Sequence, residues 1–232
     1  MNENECRETL RALSADGGLT LSDREVVLCC RHVALVALWN RRVNLTRITG
    51  REALVKHVLD SLVPARWLPE GGLALDVGSG AGFPGLPLAV IRPGLRVLLL
   101  ESDRKKASFL KVAAADLALK NVSVVHGRFE EAPWTSKFCR SPEALQGVEE
   151  PRFDVITVRA VRLDEAMLRK MGWILAPGGV VAYWAGPSSA ASAPRHVPLA
   201  GDALLDRLED SAYELPGLQG RRRLIRWIRR ES

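Results

Sequence analysis

Apolar positions along residues 1–70 recur at the period of a helix. In "LTLSDREVVLCCRHVALVALWNRRVNL", Val26, Val27, Cys30, Val33, Ala34, Ala37 and Leu38 return every three or four positions, behind Ser22 and Glu25 at capping-box spacing. Thr49 and Glu52 repeat that spacing ahead of "REALVKHVLDSL", where Leu54, Val58 and Leu62 share a face. Pro64 and Pro69-Glu70-Gly71-Gly72 end the helical region. From Leu73 the rhythm changes. "LALDVG", "RVLLLES", "NVSVVHG", "FDVITVRAV" and "VVAYWAG" are short apolar runs without alternation, as in strands covered on both faces. Helical stretches separate them: "GLPLAVIRP", "DRKKASFLKVAAADLAL" (Ala107, Leu110, Lys111 and Ala114 on one side) and "LDEAMLRKMGWIL". Pro177-Gly178-Gly179 reads as a turn, and "AYELPGLQGRRRLIRWIRR" as two last strands joined by a Pro/Gly turn.

Strands alternating with helices predict an α/β fold with parallel pairing and right-handed crossovers. The expected organisation is a helical extension over residues 1–70 packed on a core of residues 71–232. Two segments break the order. Trp134 to Arg152 reads as a long connection, and "GPSSAASAPRHVP" as a mobile Ser/Ala/Pro-rich stretch.

Composition narrows the class. The 232 residues are 47% hydrophobic and 26% charged, as in a globular protein of one ordinary domain with a small extension. No apolar run approaches the roughly 20 residues of a membrane span. The start, "MNENECRETL", is polar and acidic, unlike a secretory signal. A cytoplasmic protein is expected, with Cys6, Cys29, Cys30 and Cys139 as reduced thiols. No C-x-x-C pair or metal cluster stands out, so no metal site is expected. The net charge of +6 is unevenly spread. Arg41, Arg42, Arg47 and Arg51, then Arg104, Lys105 and Lys106, then "GRRRLIRWIRR", form basic clusters, either solvated charge or contacts to a polyanion.

The sharpest signal is "LDVGSGAGFPGLP", Leu75 to Pro87. The loop follows a strand and precedes a helix, the context of a nucleotide-binding fingerprint. Glu101, 23 positions after Gly78, closes the next run, where an acid binds ribose hydroxyls. Yet Gly78, Gly80 and Gly82 are spaced G-x-G-x-G rather than G-x-G-x-x-G, which disfavours a nicotinamide dehydrogenase. Asp76 would repel a pyrophosphate and attract a cation. S-adenosyl-L-methionine carries a ribose, an ammonium and a sulfonium and no phosphate, so a Rossmann-like methyltransferase is the expectation.

In these residues the chain resembles the bacterial 16S ribosomal RNA (guanine-N7) methyltransferases, the RsmG or GidB family. The motifs are "NLTRI" (44–48), "KHVLDSL" (56–62), "LDVGSGAGFPGLPLA" (75–89), "ESDRKKASFL" (101–110), "NVSVVHGRFEE" (121–131) and "FDVITVRAV" (153–161). They fall in the family's order over about residues 25–186. The resemblance implies a class I methyltransferase fold, a seven-stranded mostly parallel sheet with helices on both faces and an N-terminal helical addition. It implies cofactor contacts from Gly78 and Phe83, ribose binding by Glu101, and adenine held at Phe129 and Glu130. Arg159 falls at a further cofactor-side position. Asp76, Ser79, Gly80 and Ser102 complete the candidate cofactor set. Three departures stand out: Trp184 where the family usually has Lys, a longer 134–152 connection, and Arg222-Arg223 in place of an Arg-His pair.

The implied chemistry suits the residues. Guanine N7 has a lone pair and no proton, so no general base is needed, and orientation carries the rate. "TVRA" stands where amino-group methyltransferases carry an N-P-P-Y-like tetrapeptide. Arg159, the candidate catalytic residue, reads either as a positioning group at a strand's C-terminal end or as the partner of a buried acid. His57 and Asp60, at i and i+3, read as a structural pair or as groups near the substrate mouth. Trp184 reads as core or as a base-stacking platform. Arg41, Arg42, Arg47, Lys105, Lys106 and Trp184 are the candidate RNA contacts. The expected partner is 16S ribosomal RNA or the small ribosomal subunit, met by a monomer and away from any membrane. A methyltransferase for another RNA or a small molecule, and a non-catalytic RNA-binding protein on this fold, are the competing readings.

Overall fold

The computed structural model describes residues 1–131, 152–185, 193–199, 201–218 and 221–231. Helix α1 (Glu3–Asp16) is capped by Asn2 and α2 (Asp23–Trp39) by Ser22. The Ser22 box forms as expected: Ser22 N–H donates to Glu25 at 2.7 Å and Glu25 N–H to Ser22 Oγ at 3.3 Å. A compound helical segment, α3, then runs over residues 50–67. It comprises a turn Gly50–Ala53, a π-helical stretch Leu54–Leu59, a turn Asp60–Leu62 and a 3₁₀ turn Val63–Trp67. The second capping box does not form, since Thr49 makes no side-chain cap bond. Leu54, Val58 and Leu62 share a buried face as expected.

Strands β1 (Gly72–Val77), β2 (Leu95–Glu101), β3 (Val122–His126), β4 (Phe153–Arg159) and β5 (Leu175–Ala185) pair in parallel in the order β3-β2-β1-β4-β5. Helices α4 (Gly85–Ile91), α5 (Arg104–Asp116) and α6 (Glu165–Ile174) lie between them in sequence. Beyond β5 the sheet turns antiparallel through β9 (Arg222–Arg230), which also pairs with β7 (Leu204–Arg207) and β8 (Ser211–Tyr213). β6 (His196–Pro198) edges β7. The sheet therefore has nine strands among the described residues rather than seven. The surplus is β6 and β7, three and four residues long, too short to leave a pattern in sequence, whereas β8 and β9 are the two last strands expected around the Pro/Gly turn. Pro177-Gly178-Gly179 lies inside β5, where the register with β4 shifts, rather than forming a separate turn.

Both faces of the sheet are covered. On one, Leu10, Val33, Leu54 and Val58 of the helical segment share a core with Leu86, Leu99 and Phe109. On the other, Leu75, Leu98 and Ile156 pack with Leu168, Met171 and Trp227. This explains why the strands read as unbroken apolar runs. In α5 the buried face is Ala107, Phe109, Leu110, Ala113 and Ala114, and Lys111 is exposed. The thiol expectation is corrected: Cys6 of α1 and Cys30 of α2 form a disulfide, because packing of the two helices brings their Cα atoms to 6.0 Å. Cys29 is a free, buried thiol, pushed up to about 12 by desolvation and by Glu25, which leaves it inert as a nucleophile. Cys139 and most of the 134–152 connection lie outside the described residues, as does much of the Ser/Ala/Pro-rich stretch.

Candidate active site

β1 lies between β2 and β4, the point where strand order reverses and where open α/β sheets bind ligands at the strands' C-terminal ends. The glycine loop leaves β1 there. Gly78 and Ser79 both donate backbone N–H bonds to the Leu100 carbonyl, at 2.9 and 3.1 Å. Ser79 Oγ donates to the Asp76 carbonyl at 2.9 Å, and Gly82 N–H to the Ser79 carbonyl at 2.7 Å. Gly78 has φ +70°, and a Cβ on it would stand 2.5 Å from Val161 Cγ2, so only glycine fits. Glu101, at the end of β2, is buried. Its carboxylate accepts from Gly80 N–H at 2.7 Å and from Asp103 N–H at 2.8 Å, tying the loop to the next strand. A cavity of about 300 Å³ opens beside this tie. Gly78, Ser102, Gly127, Arg128, Phe129, Glu130 and Val161 are among its lining residues.

A second constellation lies on the other side of the loop. The Phe83 ring is stacked between two imidazoles, His32 of α2 at 4.4 Å and His57 of α3 at 4.7 Å. His32 Nε2 is 2.8 Å from the Ala81 carbonyl, which only accepts, so the ring donates and pins the loop to α2. His57 Nε2 meets Thr46 Oγ1 at 2.8 Å, which joins the "NLT" turn to the same stack. Burial lowers both imidazoles to about 4, with Arg159 adding to the effect on His57, so both are neutral near pH 7. Asp76 is fully buried under the loop. Thr157 donates to one oxygen at 2.6 Å, and the other has no hydrogen-bond donor among the described residues. Desolvation pushes its carboxyl up to about 6 against the opposing hydrogen bond from Thr157. Arg159 ends β4 and pairs with Asp60 of α3 at 2.7 Å. It also donates to the Lys56 carbonyl, while its Nη1 is buried without an acceptor among the described residues. Ala160, next in the chain, holds the left-handed φ of +56°, rare for a non-glycine and frequent where function stores strain.

The structure thus divides the sequence-predicted residues. Gly78, Ser102, Phe129 and Glu130 line the cavity. Ser79, Gly80 and Glu101 build the loop beside it. Phe83 and Asp76 lie beneath the loop, with their faces taken by protein groups. Arg159 has the buried acid partner its structural reading required and one donor still unsatisfied. Trp184 is core: it is buried and its indole N–H donates to the Asp60 carbonyl at 2.6 Å, so it offers no face to a base. Arg41, Arg42, Arg47 and Lys105 are exposed, and Lys106 is half-buried. Arg31 of α2 binds Asp116 of α5 at 2.9 Å and Trp39 packs on Phe109 at 5.7 Å, so the two helices run antiparallel, with Arg41-Arg42 and Lys105 toward the same end. The C-terminal arginines differ, since Arg230 pairs with Asp206 at 2.8 Å and Arg229 with Glu231 at 3.1 Å. Sequence reasoning missed Arg128, Val161 and Met167 in the cavity wall and Tyr213 on Asp60. Arg128 directly precedes the Phe129-Glu130 pair and was the one within reach of it.

The model of the GidB family, described as rRNA small subunit methyltransferase G, matches residues 28–196. The "Ribosomal RNA small subunit methyltransferase G 1" of Syntrophobacter fumaroxidans is 43% identical over 229 residues, 98% of both chains. The "Ribosomal RNA small subunit methyltransferase G" of Solibacter usitatus is 34% identical over 88% of this chain and 90% of its own. Among solved structures, a methyltransferase from Geobacter sulfurreducens aligns at TM-score 0.50 and 16% identity, covering 95% of each chain. A putative methyltransferase, yhhF, from Escherichia coli aligns at TM-score 0.51 and 15% identity over 81% of this chain and 90% of its own. At such identities the structural likeness speaks for the fold alone.

Proposed function

The chain belongs to the rRNA small subunit methyltransferase G family, and on that premise we propose that it transfers the methyl group of S-adenosyl-L-methionine to N7 of a specific guanine in 16S ribosomal RNA. The observation that carries the reading is the Glu101–Gly80 tie at the strand-order reversal, beside a cavity lined by Ser102, Phe129 and Glu130. The residues fit the cofactor. Gly78 leaves a cradle that a Cβ would fill. Among the described residues, Asp76 keeps a buried oxygen without a donor and Arg159 a buried donor without an acceptor, a pairing suited to a ligand with an ammonium and a carboxylate. Gly78, Ser79, Gly80, Glu101 and Ser102 hold the ribose side, Phe129 and Glu130 the adenine, and Asp76, Phe83 and Arg159 support the amino-acid end.

Bound there, S-adenosylmethionine supplies an electrophilic methyl on a sulfonium. N7 gives up no proton, so the chain needs no general base, and the buried neutral imidazoles of His32 and His57 stiffen the loop instead. Residues 1–70 serve as a helical extension that buttresses the loop of the methyltransferase domain, residues 71–232. The exposed ridge of Arg41, Arg42, Arg47 and Lys105, joined by Lys106, takes the phosphates of 16S RNA, free or in the small subunit. The protein acts as a monomer in the cytoplasm. Labelled S-adenosylmethionine, incubated with the protein and undermethylated small subunits, tests the reading. Label in 16S RNA is expected, and label in a metabolite or in protein with none in RNA overturns it.

A further inference from the structure

We infer that Asp60 is a positioning residue for this site, holding the Arg159 guanidinium against the glycine loop, with Tyr213 of β8 as the clamp on its second oxygen. The inference rests on the cofactor-side reading of Arg159. Asp60 is 2% exposed. Its Oδ2 accepts from Arg159 Nη2 at 2.7 Å, and its Oδ1 accepts from the Tyr213 hydroxyl at 2.7 Å. Arg222 of β9 stands 3.7 Å from Oδ2, and the Asp60 carbonyl receives the Trp184 indole at 2.6 Å. One residue therefore gathers the ends of β4, β5, β8 and β9 onto α3.

A buried carboxylate is a poor way to gain stability, because its desolvation cost commonly matches or exceeds what its partners return. Such a group does specify geometry. With Nη2 fixed by Asp60 and the Lys56 carbonyl, the plane of the Arg159 guanidinium is set, and Nη1 is the edge left without an acceptor among the described residues. His57, three residues before Asp60, stacks on Phe83 of the loop. One stretch of α3 thus grips the loop through His57 and the arginine through Asp60, and fixes the distance between them. The i, i+3 spacing seen in "HVLD" gains a physical purpose: two positioning groups on one rigid element, neither handling a proton. The ligand group suited to Nη1 is an oxygen anion, the carboxylate of the cofactor's amino-acid part.

A double-mutant cycle on the full chain tests this, with S-adenosyl-L-homocysteine as the probe in calorimetry and circular dichroism as the check on folding. Asp60→Asn and Arg159→Met are each expected to weaken binding about tenfold to a hundredfold, the range for a hydrogen bond to a charged group. In the double variant, Asp60→Asn adds less than about twofold to Arg159→Met, because Asp60 acts through the arginine. Wild-type affinity in folded Asp60→Asn, or losses that multiply in full, overturns the inference and leaves Asp60 a structural residue. Tyr213→Phe keeps the question decidable if Asp60→Asn does not fold. It removes one hydroxyl, and a threefold or greater loss of affinity is expected, whereas unchanged affinity refutes the clamp. The two levels fail differently. Arg159→Met at wild-type affinity removes the cofactor-side reading of Arg159 and the Asp60 role with it. Non-additive affinities in a protein that transfers no methyl to RNA leave the Asp60 role standing and reject the proposed substrate.

Discussion

Asp76 shows how a motif residue takes its meaning from its surroundings. In sequence it is a carboxylate beside a glycine loop, free to meet a cation. In the fold, Asp76 lies in register with Thr157, whose hydroxyl binds one oxygen, and Gly85 packs against the other. Its carboxyl rises from 3.8 to about 6. A raised acid costs nothing below the unfolded pKa, where both states are protonated, and costs most above the folded pKa. From 3.8 to about 6 that cost grows to about 3 kcal/mol. Asp76→Asn should therefore melt several degrees higher than wild type at pH 8, lose that gain near pH 4, and bind S-adenosylmethionine more weakly; thermal melts at both pH values with calorimetry check it. Gly78→Ala meets Val161 at 2.5 Å in a left-handed backbone and should abolish measurable cofactor binding, read in the same calorimeter. Glu101 was legible because its spacing from the loop is fixed by one strand–loop–helix–strand unit. The burial of Asp76 and the Asp60–Tyr213 bond were not, since they depend on elements 81 and 153 residues apart.

At the level of elements, the repeated helical spacing before residue 70 predicted helices but not their winding. A capping box needs a regular first turn, but Gly50 enters it at a left-handed φ of +60° and Glu52 is taken by Lys56, so Thr49 and Glu52 never close it. The π-helical winding after Ala53 delivers His57 to Phe83 and Asp60 to Arg159. The central strands were legible because both faces are buried. β6 and β7 were not, because three or four residues are too few to show a period. α2 adds a pH dependence. His32 falls from 6.5 to about 4 through burial, so the folded state resists a proton that the unfolded state accepts. Its stabilisation is complete above about 6.5 and is lost as pH falls toward 4, about 3 kcal/mol in all. His32→Phe should flatten that acid loss, seen by denaturant unfolding at pH 7 and 4.5, while the lost bond to Ala81 weakens cofactor binding by about tenfold.

For the whole molecule, net charge said less than its placement. The sequence showed several basic clusters of equal standing. The fold neutralises part of the C-terminal one through Asp206 and Glu231, and leaves Arg41, Arg42 and Lys105 exposed at the ends of the packed helices α2 and α5. Replacing those three by alanine should weaken RNA binding more than tenfold and reduce the salt slope of log K by about 2, whereas Arg230→Ala should leave both unchanged, as salt titrations of binding would read. The proposed function is methylation of one guanine N7 in 16S RNA by a site that orients and removes no proton. The direct measurement is nucleoside mass spectrometry of 16S RNA from cells with and without the gene. One 7-methylguanosine is expected to disappear on deletion, to return with the wild-type gene and to fail to return with Arg159→Ala. Unchanged 7-methylguanosine, or loss of a methyl from an amino group or a ring carbon instead, would contradict it.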